Sequence, residues 1–389
     1  VVESFLKFTF ASMKKMPKSL LKKLESRKEI GTFRSLKSKC HLVDFSSNDY
    51  LGLARLESIS VRAKQILLDS GHPSHGASGS RLLTGHHPLF EEVEQQIASY
   101  HQTETALIFN SGYDANLGLF AALPQRNDLV FYDELVHASI RDGLRLSMAK
   151  SYSFKHNDFK DLARKIDKLK TATSVWIVTE AVFSMDGDAP DWESLATVCN
   201  RFEVHLIIDE AHATGVFMHL PEIYKQTGLE NHLTARVVTF GKALGCHGAA
   251  VLGHASLRDY LINFAGSLIY TTALPPASLA NIAAAYEKLQ DKFGVDKLHQ
   301  NINHFNQNVM QLGLKPHFRH SVSAIHCCIV PGNEGVKMLS LQLEKSGFDV
   351  RPILSPTVAA GKERLRFCLH AFNDESDIEN ALKVLATHL

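Results

Sequence analysis

Hydrophobic and polar positions change their rhythm twice along this chain. Between about residues 46 and 275, short apolar runs alternate with stretches of helical period. The runs "ALIFNSG" (106–112), "LVFYD" (129–133), "SVWIVTE" (174–180), "VHLIIDE" (204–210), "RVVTF" (236–240) and "AAVLG" (249–253) are rich in β-branched or aromatic residues. Helix-compatible segments such as "HPLFEEVEQQIASYH" and "WESLATVCNRF" separate them. Runs that are apolar on both faces predict parallel strands covered by helices on each side, an α/β fold. After "TTALPPAS" (271–278) the pattern becomes a long helix, "LANIAAAYEKLQDKF", and then short strands "AIHCCIV", "FDVRPIL" and "RLRFCLH" mixed with helices. The expected organisation is an N-terminal arm and helix over 1–45, a large α/β domain over 46–284, and a smaller α+β domain over 285–389. Within the arm, "KKMPKSLLKKLESRKEIGTF" reads as a basic amphipathic helix. Residues 1–12 are expected to lie outside the folded unit, with Met13 as the start of the protein.

Composition narrows the classes. The chain has 389 residues, enough to bury a large core, and a net charge of +1, which speaks against a dedicated nucleic-acid binder. No apolar run reaches the length of a membrane span. With no targeting segment recognised, the cytoplasm is the expected compartment. The cysteines, Cys40, Cys199, Cys246, Cys327, Cys328 and Cys368, form no C-x-x-C pair, and neither they nor the histidines at 72, 75, 86 and 87 show metal-ligand spacing. Free thiols in a reducing compartment and no metal are expected.

"LIIDEAHATG" (206–215) admits two readings. Asp209-Glu210-Ala211-His212 spells the box of one helicase group, which also needs a G-x-x-x-x-G-K-[ST] phosphate loop. The Gly-Lys pairs, Gly241-Lys242 and Gly361-Lys362, are followed by Ala243 and Glu363 and lack the earlier glycine, so the helicase reading fails. The other reading pairs Asp209 with Lys242 of "VVTFGKALG", both at the carboxyl ends of strands, where open α/β sheets bind ligands. A lysine with a buried carboxylate suits pyridoxal phosphate: the amine bonds the aldehyde, and the carboxylate raises the pKa of the ring nitrogen. "FNSGYDANLGL" offers Ser111, Gly112 and Tyr113 at a helix N-terminus for the phosphate. The flat ring of His137 is suited to stacking on the pyridine. Glu180 and Ser184 stand at the end of another strand, His212 is a candidate partner for the ring hydroxyl, and Thr239 a candidate phosphate donor.

The segments "DFSSNDYLGL", "FNSGYDAN", "DELVHASI", "TEAVFSMDGD", "IIDEAHATGV", "VVTFGKALG", "LIYTTALPP" and "PTVAAGKERLRF" together resemble the α-oxoamine synthases, fold-type I pyridoxal-phosphate enzymes, over residues 44–389. The resemblance implies a transferase that condenses an amino acid with an acyl thioester and releases carbon dioxide. It implies Lys242 as the Schiff-base lysine and proton carrier, Asp209 at the ring nitrogen and His137 on the ring face. His212 and Ser184 fall near the ring hydroxyl and Thr239 at the phosphate, with Ser111, Gly112 and Tyr113 lining the cofactor. Asn48 and Glu180 border the substrate, and Arg366 holds its carboxylate. Thr271 or Thr272 reaches the phosphate of a neighbouring subunit, so a homodimer with shared sites is implied, and Arg34 is a candidate for the far end of the acyl chain. "SSNDYLGL" and "LIYTTALPP" favour the branch that joins L-alanine to a pimeloyl thioester, carried by coenzyme A or acyl carrier protein, in biotin biosynthesis. Other branches use glycine with acetyl- or succinyl-CoA, or serine with a long acyl thioester. A different pyridoxal-phosphate reaction or a non-catalytic scaffold are the remaining alternatives. The chain departs from the family where "MHLPEIYKQTG" replaces a glycine run after "HATGVF", at Cys246 and His247, and at Arg351, which comes earlier than the related arginine.

Overall fold

The computed structural model describes residues 16–36, 41–71, 74–169 and 173–389. The expectations for residues 1–12 and Met13, and those for Cys40 and His72, lie outside the described residues. The protein is α/β, as its apolar runs predict. Twelve strands are present among the described residues: β1 (Val43–Asp44), β2 (Thr105–Phe109), β3 (Leu129–Asp133), β4 (Lys150–Phe154), β5 (Val175–Glu180), β6 (His205–Asp209), β7 (Leu233–Thr239), β8 (Ala249–Gly253), β9 (Ile325–Ile329), β10 (Phe348–Asp349), β11 (Arg351–Ile353) and β12 (Arg364–Cys368). Seven form one sheet in the order β2-β8-β7-β6-β5-β3-β4. Buried side chains on its two faces form separate apolar clusters, one around Ile108, Ile177, Ile208 and Val238, the other around Leu107, Val178, Ile207 and Val237. Alternate residues of the same strands thus feed opposite cores, which is why the runs are apolar throughout.

All neighbouring pairs from β4 through β7 are parallel, whereas β8 runs antiparallel to both β7 and β2. The reason lies in the connection 240–248, which is too short for the crossover that a parallel neighbour needs. Instead it folds back as a tight loop, with Phe240 N–H donating to Gly248 O at 2.9 Å and Cys246 N–H to Phe240 O at 2.7 Å. Gly245 in this loop has φ +63°, and a Cβ there would collide with the backbone of Ala54, so glycine is required on both counts.

Three further features differ from the hydrophobic pattern. β4 escapes it because it is an edge strand whose first four residues are exposed. "FDVRPIL" is not one strand: β10 pairs with β1 and β11 with β12, so the segment changes sheets at Val350. The basic helix forms at Lys18–Glu29 but buries none of its residues. The smaller sheet, β11-β12-β9, is antiparallel and carries Arg364 and Arg366 on its central strand. Residues 43–50 are tied to this C-terminal region, through β1 and through Cys368 N–H to Phe45 O and Ala371 N–H to Tyr50 O, both at 2.8 Å. Among the described residues no helix is long and apolar enough to cross a membrane.

The acidic pair of "DEAH" divides its work between two environments. Glu210, 2% exposed, takes a two-pronged ion pair from Arg236, with Nε to Oε1 at 2.6 Å and Nη2 to Oε2 at 2.9 Å. The Tyr224 hydroxyl adds a third bond at 2.9 Å, and Arg236 Nη1 reaches His101 O at 2.8 Å. Glu210 is therefore structural, serving the buried guanidinium rather than a nucleotide. Removing one partner of such a pair leaves a buried charge uncompensated, at a cost of about 3–5 kcal/mol. Glu210→Ala should accordingly lower the urea midpoint of the apo-protein markedly; an unchanged midpoint would show that the pair adds nothing.

Candidate active site

The site lies at the carboxyl ends of the parallel strands. β5 ends in Glu180 and β6 in Asp209, and the two are aligned partners in register. β7 ends in Thr239, three residues before Lys242. β3 ends in Asp133, and the chain then turns to present His137 at the start of the helix Ala138–Leu146. From β2 the chain passes through Asn110 and Ser111 into the helix Gly112–Ala122. A cleft of about 180 Å³ is lined by Gly112, Tyr113, His137, Glu180, Ser184, Asp209, His212, Thr239 and Lys242, together with Asn116, Ser139 and Ala211. A larger groove, about 510 Å³, lies between the helices Phe159–Lys168 and Trp192–Phe202 and holds none of these groups.

Two hydrogen-bond chains order the cleft. In the first, Asn116 Nδ2 donates to Asp209 Oδ2 at 2.8 Å and to Ser139 Oγ at 3.1 Å, while Ala211 N–H donates to Asp209 Oδ1 at 2.9 Å. Ser139 Oγ lies 2.7 Å from His137 Nδ1, which also accepts the Ser139 N–H. Nδ1 is thus the acceptor, and a neutral His137 carries its proton on Nε2. Burial, joined by the Lys242 charge, lowers the His137 pKa and favours that neutral form. The His137 N–H in turn donates to Glu180 Oε1 at 2.5 Å. Burial, then the adjacent Asp209 charge, pushes Glu180 up to about 8.

The second chain joins the two sheets. The Tyr50 hydroxyl lies 2.7 Å from His212 Nδ1 and 3.1 Å from Asn48 Oδ1. Asn48 Oδ1 also accepts from Arg366 Nη2 at 3.0 Å, and Arg366 Nε donates to Ser184 O at 2.7 Å. Burial drives the His212 pKa well below its usual value, so its ring is neutral. Burial likewise draws Lys242 down to about 8, against the charges of Asp209 and Glu180, which favour the ammonium. Among the described residues nothing forms a hydrogen bond or ion pair with its amine.

Some residues singled out from the sequence are employed differently or stand apart. The Ser111 hydroxyl caps the helix Gly112–Ala122, accepting the Asp114 N–H at 3.1 Å, which leaves the amides of Gly112 and Tyr113 at the helix start. The Tyr113 hydroxyl bonds Asp142. Thr239 Oγ1 donates to Gly248 O at 3.1 Å. Asn110 Nδ2 reaches Thr271 Oγ1 at 3.1 Å and Thr272 O at 2.8 Å, but neither threonine lines the cleft. Arg34 is exposed and donates to Thr357 Oγ1 at 3.2 Å, also outside the lining. Asn116, Ser139 and Tyr50 were missed by motif reading. An asparagine inside the otherwise apolar "ANLGLF" was a usable signal for the first, because a buried amide must find partners.

The donor set suits a flat, phosphorylated aldehyde: an unpartnered amine, a carboxylate held ready by N–H donors, a neutral aromatic ring and a helix N-terminus. The buried Asn116 Oδ1 is unpaired at the same place.

A model of the family "aminotransferase class I and II" matches residues 41–385. The 8-amino-7-oxononanoate synthase of Emericella nidulans is 40% identical over 376 residues, covering 89% of each chain. Among solved structures, 8-amino-7-oxononanoate synthase from Francisella tularensis superposes with a TM-score of 0.73 at 27% identity, covering 89% of this chain and 97% of that one. Serine palmitoyltransferase from Sphingomonas wittichii gives 0.81 at 26% identity, covering 88% and 86%. The chain belongs to the aminotransferase class I and II family and, within it, to the α-oxoamine synthases, fold-type I acyltransferases that use pyridoxal 5'-phosphate.

Proposed function

We propose that the protein condenses L-alanine with a pimeloyl thioester, on coenzyme A or acyl carrier protein, to give 8-amino-7-oxononanoate, carbon dioxide and the free thiol carrier. The observation that carries this reading is the 40% identity, over 89% of both chains, to a relative named for that product. Free thiols at Cys199, Cys246, Cys327, Cys328 and Cys368 accord with a reducing compartment, the cytoplasm, as the place of this biotin-pathway step. A second reading, L-serine with a long acyl thioester, draws on the TM-score of 0.81 to serine palmitoyltransferase, but at only 26% identity.

Pyridoxal phosphate, when bound, supplies an aldehyde that bonds an amine and a ring that accepts an electron pair from the adjacent carbon. In our reading Asp209, oriented by Asn116 and the Ala211 amide, keeps the ring nitrogen protonated. His137 covers one ring face, and His212, oriented by Tyr50, faces the ring hydroxyl together with Ser184. The Gly112 and Tyr113 amides, beside Ser111, receive the phosphate. Thr239 joins them by turning its hydroxyl from the Gly248 carbonyl, and Thr271 or Thr272 reaches across from the other subunit of a homodimer. Arg366 keeps Nε and Nη2 on the protein and offers Nη1 to the amino-acid carboxylate, with Asn48 and Glu180 beside it. Lys242, about half of it neutral amine at pH 8, would bond the aldehyde and later move the α-proton between substrate and product. Arg34 is assigned to the far carboxylate of the acyl chain.

The first test is release of thiol from pimeloyl-CoA by the holoenzyme with L-alanine, glycine and L-serine in parallel. Release with alanine alone, abolished in Lys242→Ala, is the expected result; release with serine and a long acyl thioester instead would favour the second reading. A further consequence concerns pH. Because the Lys242 pKa is lowered to about 8, the neutral amine is depleted as pH falls below that value. The rate at which apo-protein captures the cofactor should therefore drop by about tenfold per pH unit below 8 and level off above it. A flat profile between pH 6 and 8 would contradict the role given to this amine.

A further inference from the structure

His156 lies outside the cleft, just beyond β4, yet it touches both loops that carry the lining residues His137 and Ser184. Its Nδ1 is 3.0 Å from Asp133 Oδ1, and its Nε2 is 2.8 Å from Asp188 Oδ2. The ring stands edge-on to Phe183, with centroids 4.5 Å apart. With a carboxylate at each nitrogen, both nitrogens donate and the ring is an imidazolium. Burial alone would lower its pKa; the hydrogen bonds and charges of the two carboxylates outweigh that and raise it to about 10.

Each carboxylate anchors a different loop. Asp133 ends β3 and accepts the N–H groups of Leu135 and Asn157, both at 2.8 Å, so it shapes the turn that delivers His137. Asp188 closes the loop 183–188, where Phe183 N–H donates to Asp188 O at 2.9 Å and Gly187 N–H to Phe183 O at 2.8 Å. The opposite side of that loop is gripped by the C-terminal region. Arg366 Nε holds Ser184 O, and Arg364 Nη1 holds Met185 O at 2.7 Å and Asp186 Oδ1 at 2.5 Å. Arg319 adds a 2.8 Å bridge to Asp186, and the hydroxyls of Ser321 and Ser323 each donate to Gly187 O at 2.8 Å. The loop is the joint between the two sheets, and the imidazolium is a charged tie on the large-sheet side.

We propose that His156 is a positioning residue for the amino-acid substrate: it ties the loop 183–188 to the end of β3 and so sets where Arg366 stands relative to His137. This rests on the role given to Arg366 in the proposed function. Loss of the tie leaves two carboxylates facing one another and frees the loop to follow the small sheet, so the guanidinium drifts while the groups on β5, β6 and β7 stay in place.

The test uses holoenzyme carrying His156→Gln, with His156→Lys as the charge-keeping variant and Asp188→Asn to break the clamp from its other end if His156→Gln does not fold. In His156→Gln the KM for L-alanine should rise about tenfold or more, as expected when a binding group is misplaced by a fraction of an ångström or more. The KM for the acyl thioester should stay near wild type. His156→Lys should recover part of the alanine KM. Hydrogen exchange should quicken together in peptides covering 134–137 and 183–188. An unchanged alanine KM in a folded variant, or an equal rise in both KM values, would overturn the proposal. If wild type turned over none of alanine, glycine or serine, the proposed function would fall. Hydrogen exchange would then decide the clamp by itself, and quickening confined to 155–158 would count against it.

Discussion

Two acids, Glu180 and Asp209, end adjacent strands at the same level of the sheet, nearly out of contact with water. Side by side and desolvated, they cannot both carry charge without help. Much of the cleft's construction answers that constraint. Asp209 accepts N–H groups from Asn116 and Ala211. Glu180 is given one backbone N–H, and its carboxyl is pushed toward neutrality. Lys242 arrives nearby on the short, tight loop that forces the antiparallel return of β8. The acids temper, without cancelling, the effect of burial on its amine.

The two hydrogen-bond chains extend this logic outward. Asn116 donates both to Asp209 and to the Ser139 hydroxyl, which donates on to the imidazole of His137 and fixes its tautomer. From His212 the chain passes through Tyr50 and Asn48 to Arg366, crossing from one sheet to the other. Networks of this kind stiffen a site when their members are satisfied; both are continuous here, with Asn116 Oδ1 left open in the first.

Much of this was legible in the chain. Period and composition predict six of the seven large-sheet strands, because each feeds a core on both faces. The spacing of Asp209 and Lys242 is legible because strand ends map directly onto the sheet's rim. What escaped depends on distant partners. β4 has too little burial to leave an apolar run, and the direction of β8 follows from loop length rather than from its own residues. Tyr50 and His156 look ordinary in sequence, since their significance comes from partners 162 and 23 or 32 positions away. The second acid of "DEAH" carried a misleading signal: Glu210 faces the core, where Arg236 requires it.

The joint at 183–188 has an evolutionary reading. The groups assigned to the cofactor stand mainly on one sheet and its adjoining helices, whereas the arginine assigned to the amino acid arrives from another sheet, held to the first by the loop 183–188 and by the chain through Asn48 and Tyr50. Substitutions that tilt the small sheet by a fraction of an ångström would alter which amino acid fits while leaving the shared chemistry untouched. A lineage built this way can exchange substrates through changes far from its lysine, so that diversification need not begin with repair of a damaged catalytic centre.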